Sequence, residues 1–167
     1  MSIISPTASK FPIPSACYSC GSKLHKHGQR RRHVRTRKKV WYQVQRLRCC
    51  LCRETRTLLL PNMLPRKHYS ASEIEQVLRK QEDPSAPACE CGAEESTLRR
   101  WRREFPEKLS SLAVCLESLT NAWETRLISP LQRVYNALNL LVRPPPDQSR
   151  LAWAYFFVGW FHPVRLG

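Results

Sequence analysis

"RLRCCLCRETRTLLLP", residues 46–61, places three cysteines within four positions of a basic segment. Their spacing decides the fold. Cys49 and Cys52 keep a CxxC interval, whereas Cys50 and Cys52 do not. Upstream stands a second pair, Cys17-Tyr-Ser-Cys20-Gly21, with 28 residues between Cys20 and Cys49. Each CxxC turn offers two thiolates, and chain that folds into strands brings the two turns together. This is the layout of a zinc ribbon, in which one Zn²⁺ takes four ligands tetrahedrally and contributes directly to folding. The expected ligands are Cys17, Cys20, Cys49 and Cys52, with Cys50 a bystander. Gly21 suits a turn that needs positive φ after the second ligand. Arg53 holds the matching place in the second knuckle, with less freedom.

Other readings of the cysteines stand beside this one. Disulfides require an oxidising compartment. A rubredoxin-like iron site uses the same ligand set, but its second knuckle usually carries glycine and proline and its surface is less basic. His25, His27 and His33 are alternative ligands, though four well-spaced cysteines already complete a shell.

The formal net charge is +15, and it is concentrated. Residues 17–70 carry fifteen Lys/Arg against the single acid Glu54, a net of +14. Such a local field suits a polyanion, and a solubilising surface is the plainer alternative. Residues 1–16 lack a basic region followed by an apolar core, so they read as a flexible tail and not as a secretory signal. The longest apolar run, "LAWAYFFVGWF" at 151–161, falls short of the roughly 20 residues that cross a bilayer. A cytoplasmic protein without membrane contact is expected.

Between the knuckles, "VWYQVQRLR" (40–48) is rich in β-branched and aromatic residues and reads as a strand. Ahead of it lies the basic run Arg30, Arg31, Arg32, Arg35, Arg37, Lys38 and Lys39, and "TRTLLLP" follows the second knuckle. The expectation is a three-stranded antiparallel ribbon over 17–60 with one very basic edge. Residues 61–69 read as a linker.

An α+β architecture follows, because the remainder has helical periodicity. "SASEIEQVLRKQ" begins with a capping box at Ser70/Glu73 or Ser72/Glu75. "ESTLRRWRREF" (95–105) puts Leu98, Trp101 and Phe105 on one face and Arg99, Arg100 and Arg103 on the other. An apolar stripe opposite an arginine fan fits a recognition helix, with a solvated surface helix as the alternative. Residues 70–107 therefore read as helix-turn-helix-like and 108–167 as a helical C-terminal region. That region includes "PEKLSSLAVCLESLTNAWETRL", a helix at 130 capped by Ser129, and an aromatic helix with Trp153, Tyr155, Phe156, Phe157, Trp160 and Phe161. An aromatic end is hard to bury in so small a bundle, so a homodimer or a partner protein docking there is expected. Cys89 and Cys91 are a weak metal signal, and Cys115 reads as a small buried apolar residue.

"CYSCGSKLHKHG", "RLRCCLCRETRTLLLPNMLPRKHYSASEI" and "STLRRWRREF", taken in order, resemble a bacterial zinc-ribbon family similar to the N-terminal regions of insertion-sequence transposases. The resemblance covers about residues 15–107 and implies a zinc ribbon and a helix-turn-helix that bind DNA ends, with a transposition partner protein as the candidate occupant of the C-terminal helices. The second knuckle departs by its extra cysteine. The gap of residues 82–94 is also longer than the usual 3–4-residue turn.

An acidic-triad transposase needs three carboxylates around two metal ions. The chain has two aspartates, Asp83 and Asp147, each beside proline. No phosphate-binding glycine loop or nucleophile elbow is visible, so no enzymatic activity is expected. The expected function is zinc-dependent binding of double-stranded DNA. The run at 30–39 would grip phosphates, and Arg99, Arg100 and Arg103 would address bases. The alternative is an RNA-binding or protein-assembly zinc-ribbon module.

Overall fold

A computed structural model describes residues 11–36, 38–121 and 128–161. A three-stranded antiparallel sheet, in the order β1 (Leu24–Arg35), β2 (Lys39–Cys49), β3 (Thr55–Leu58), precedes four helices. These are α1 (Ala71–Glu82), α2 (Glu95–Thr120), α3 (Pro130–Leu141) and α4 (Arg150–Phe161). The α+β order expected from the sequence is therefore present.

Side chains alternate across a strand, and both faces of this sheet are used. Val34 and Val44 pack with Leu60 and Met63 on one face. Leu47 and Leu58 face the other way and join the large core built by the helices. The β1–β2 ladder runs from Leu24↔Cys49 to Arg35↔Lys39, with an irregularity between Lys26 and Gln29. Gly28, at φ 77°, supplies the left-handed backbone there, and the Gln45 amide donates to its carbonyl at 2.7 Å.

Residues 61–69, expected as a linker, are packed. Met63 and Leu64 are buried, and Arg32 donates to the carbonyls of Leu64 (2.6 Å) and Lys67 (2.8 Å). The Arg35 N–H donates to His68 O, and the Ser70 N–H donates to Arg35 O. Lys67 in turn reaches Glu104 of α2 at 2.8 Å. The segment thus fixes the far end of the hairpin against the helices. The expected tail also differs within its described part. Phe11 is buried, stacked on Phe156 at 4.3 Å and edge-on to Trp153 at 4.8 Å.

Ser70 and Glu73 form the capping box of α1. The alternative partner, Glu75, is buried and serves the core. It accepts from Tyr135 Oη and from Ser149 Oγ (2.6 Å), which ties α1 to α3 and to the start of α4. Burial first, then the Glu75 carboxylate, raise the Tyr135 phenol above its ordinary range, so Tyr135 remains a donor. The α2 helix is continuous through Pro106, across the expected boundary at 107. Proline cannot donate to the carbonyl of residue 102. The Gln81 amide of α1 does so instead, at 3.4 Å. Glu94 stands at the N-cap of α2 with no side-chain cap hydrogen bond. Ser129 caps α3 as expected, accepting from the Gln132 N–H.

Between α1 and α2 lie residues 83–94, with no helix among them. Twelve residues replace the short turn of a helix-turn-helix. Cys91 is buried and Cys89 half-buried, both packed at the core, and Cys115 is buried. Residues 1–10 of the expected tail, residues 122–127 at the end of the expected 106–127 helix, and the side chains of Trp160 and Phe161 lie outside the description.

Candidate metal centre and basic cleft

The four predicted cysteines converge. The Sγ atoms of Cys17, Cys20, Cys49 and Cys52 all lie within 4.8 Å of one another, close enough to hold a metal ion. The two knuckles interlock across the pairs: Cys20 to Cys49 is 3.3 Å and Cys17 to Cys52 is 3.7 Å. The backbone explains the convergence. The residue after each second cysteine is left-handed, Gly21 at φ 72° and Arg53 at φ 62°. That conformation lets each chain double back. The Cys17 N–H donates to Ser22 O and the Cys49 N–H to Glu54 O, giving two matching turns.

The thiols are electrostatically unequal. The backbone N–H of Ser22 first, and Cys49 next, bring the Cys20 thiol down to about 6. At Cys52 the backbone N–H of Glu54 acts in the same direction, but desolvation and the three neighbouring thiols outweigh it and carry the group to about 12. Four thiolates this close repel one another, and a bound cation removes that conflict. Cys50 is exposed and turned away, 3.5 Å from His25 Nδ1, so it stays outside the cluster. Glu54, the single acid of the basic region, ties the knuckles by accepting from Ser19 Oγ and pairing with Arg56 at 3.2 Å. Arg56 also lies 3.8 Å over the Tyr18 ring.

The predicted basic residues are divided by the pleat. Arg31 and Arg35 share a face with their cross-strand partners Gln43 and Lys39, and His33↔Trp41 lies between them. Arg30 and Arg32 belong to the opposite face, with Val34 and Val44. Arg30, Arg31, Arg35, Lys38 and Lys39 are exposed. Arg32 is half-buried and occupied by the carbonyls of Leu64 and Lys67. Burial, then the charge of Arg30, lower its pKa. Arg37 lies outside the described residues. On α2, Arg99, Arg100 and Arg103 are exposed, while Arg102 pairs with Glu95 at 3.0 Å.

Ribbon and helix meet at an open cleft of about 520 Å³. His33 and Arg35 line it from β1, Arg66, Lys67 and His68 from the connecting segment, and Arg100 from α2. The rings of His33 and His68 stack at 4.5 Å, 11° from parallel. Burial, then the neighbouring His68 and the cations Lys39, Arg35 and Arg32, lower the His33 pKa and favour its neutral ring. Trp101 and Glu104 also line the cleft. Glu104 is compensated. Burial pushes its carboxyl up, but Lys108 and Lys67 outweigh this and hold it at about 2. Arg66, Lys67 and His68 were not singled out in the sequence, where they sat in a stretch without periodicity. Their signal was the basic triplet itself, placed directly before the Ser70 cap.

The described fold and site define a class: a small antiparallel ribbon closed by four cysteines and carried on a helical bundle. A family model described as a domain of unknown function (DUF6431) matches residues 17–101, about half of the chain. The chain belongs to that family. The match begins at the first cysteine of the cluster and ends at Trp101, so it contains the whole ribbon, α1 and the first turns of α2. No curated protein and no solved structure matches the chain.

Proposed function

We propose that this chain is a zinc-dependent DNA-binding protein, a non-catalytic module of the kind that binds transposon ends or regulates a promoter. Zn²⁺ would be held by Cys17, Cys20, Cys49 and Cys52. A tetrahedral site with Zn–S bonds of about 2.3 Å has S···S edges of about 3.8 Å. The 3.3 and 3.7 Å separations lie near that value. With all four positions filled by thiolates the ion supplies folding energy and leaves no place for reacting water.

The observation that carries the DNA reading is that Arg35 of the ribbon and Arg100 of α2 line the same cleft. Two basic elements far apart in sequence therefore open on one side of the molecule. Arg31 and Lys39 share the sheet face of Arg35 and suit phosphates, which provide most nonspecific affinity, whereas Arg99 turns away from the side of α2 on which Thr97, Arg100, Trp101 and Glu104 lie. Side chains from α2 are then the candidates for base edges.

The test is titration of the zinc-loaded protein against duplex DNA, structured RNA and single strands at two salt concentrations. The expected result is duplex preference with a log–log salt slope equivalent to about 5–8 phosphates. Preference for structured RNA, or affinity indifferent to salt, would overturn the reading in favour of an RNA-binding or assembly module.

A further inference from the structure

The cleft between ribbon and α2 has more chemistry than a phosphate-gripping surface requires. Arg35, Arg66 and Arg100 line it from three different segments, and none has an ion-pair partner among the described residues. Lys67 is committed to Glu104. Of the two lining carboxylates, Glu104 is paired and Glu94 has no ion pair among the described residues, so the lining sets three unpaired guanidiniums against one unpaired acid. Beside them stand the parallel His33 and His68 rings, with Trp41 5.0 Å from His33. Arg66 is also left-handed, at φ 57°, a conformation that costs a non-glycine residue roughly 1–2 kcal/mol and persists only where the surroundings hold it.

Flat rings beside unpaired guanidiniums match the two halves of a nucleotide, since bases stack on aromatic faces and phosphates take forked donors. The volume of about 520 Å³ lies within the range of small-ligand sites, roughly 300–1,000 Å³. A base inside a duplex is stacked on its neighbours and cannot enter such a recess. We propose that the cleft receives one unpaired nucleotide of a DNA strand, its phosphate among Arg35, Arg66 and Arg100 and its base against the His33–His68 rings. This rests on the DNA-binding reading and adds that the bound strand is locally unpaired, at an end or an extruded position.

The experiment compares a blunt duplex with the same duplex carrying a short 5′-phosphorylated overhang, using the full zinc-loaded chain. A fluorescent base analogue is placed in the overhang or, as a control, inside the duplex. The expected result is about tenfold tighter binding of the overhang duplex, with emission quenched only for the unpaired analogue. His33→Ala combined with Arg66→Asn, asparagine being tolerant of left-handed backbone, should bring the overhang duplex down to the affinity of the blunt duplex measured with the same variant and remove the quench. Equal affinity for both duplexes with no quench, while the blunt duplex still binds, overturns the cleft assignment alone. Failure of both duplexes to bind overturns the DNA reading and the cleft assignment with it. Equal quenching by a free mononucleotide, with no gain from the duplex, also overturns it, because the ligand is then a small molecule.

Discussion

Arg31 and Arg32 are adjacent and identical in type but lie on opposite faces of β1, and replacing each by alanine tests what that division implies. Arg32 is half-buried and its guanidinium donates to Leu64 O at 2.6 Å and Lys67 O at 2.8 Å. A hydrogen bond involving a charged group contributes about 1.5–3 kcal/mol, and two that share one nitrogen do not add fully. Arg32→Ala is therefore expected to cost about 2–4 kcal/mol. In a chain of this length that lowers the melting temperature by roughly 5–12 °C. Arg31 is exposed on the opposite face of β1, and its removal should leave stability within about 0.5 kcal/mol. The DNA readout reverses the order. Losing one phosphate contact reduces the magnitude of the salt slope by about 0.9, so Arg31→Ala flattens it by about that amount. Arg32→Ala leaves it unchanged at a temperature where the variant is folded. Thermal unfolding by circular dichroism and anisotropy titrations at several salt concentrations measure the two quantities. If Arg32→Ala melts with the parent, or flattens the slope as much as Arg31→Ala does, the division of the basic run by the pleat is wrong.

Three further outcomes follow from buried or strained groups. Glu117 is fully buried and bonded by Arg133 at 2.8 and 2.6 Å, so Arg133→Ala should cost about 3–5 kcal/mol in denaturant unfolding, while replacing both residues by leucine and methionine recovers most of it. Glu104 is held at about 2 in the folded chain, below its unfolded value of about 4.3, so its contribution is complete above the unfolded value and disappears as pH falls through the folded one; Glu104→Gln should lose the part of the acid-unfolding slope between about pH 4.3 and 2. Arg53, at φ 62°, should gain about 0.5–1 kcal/mol when changed to glycine, and Gly21→Ala at φ 72° should lose about as much, by calorimetry of the metal-loaded forms.

The cysteine cluster was legible because a CxxC interval is a local constraint. The spacing excluded Cys50, and Gly21 marked the backbone reversal. Arg53 in the same conformation was anticipated only as a less comfortable occupant. The helices were legible from periodicity and caps at Ser70 and Ser129. Residues 61–69 were misread because Met63 and Leu64 are buried without periodicity, and their place depends on Arg32 thirty residues earlier. The role of Glu75 was also hidden, since two capping boxes fitted α1 and its partners Tyr135 and Ser149 come from distant elements. The passage of α2 through Pro106 depends on Gln81, a contact no local pattern encodes. The basic run was legible as a run, but not the division of its side chains between two faces, because strand alternation separates neighbours and the bulge at Gly28 resets the register.

Metal content of the purified chain tests the account most directly. One zinc per chain is expected, retained in Cys50→Ser and lost in Cys49→Ser and Cys52→Ser together with the folded ribbon and with duplex binding. A parent chain folded without stoichiometric metal, or zinc retained when Cys49 and Cys52 are both serine, would contradict it.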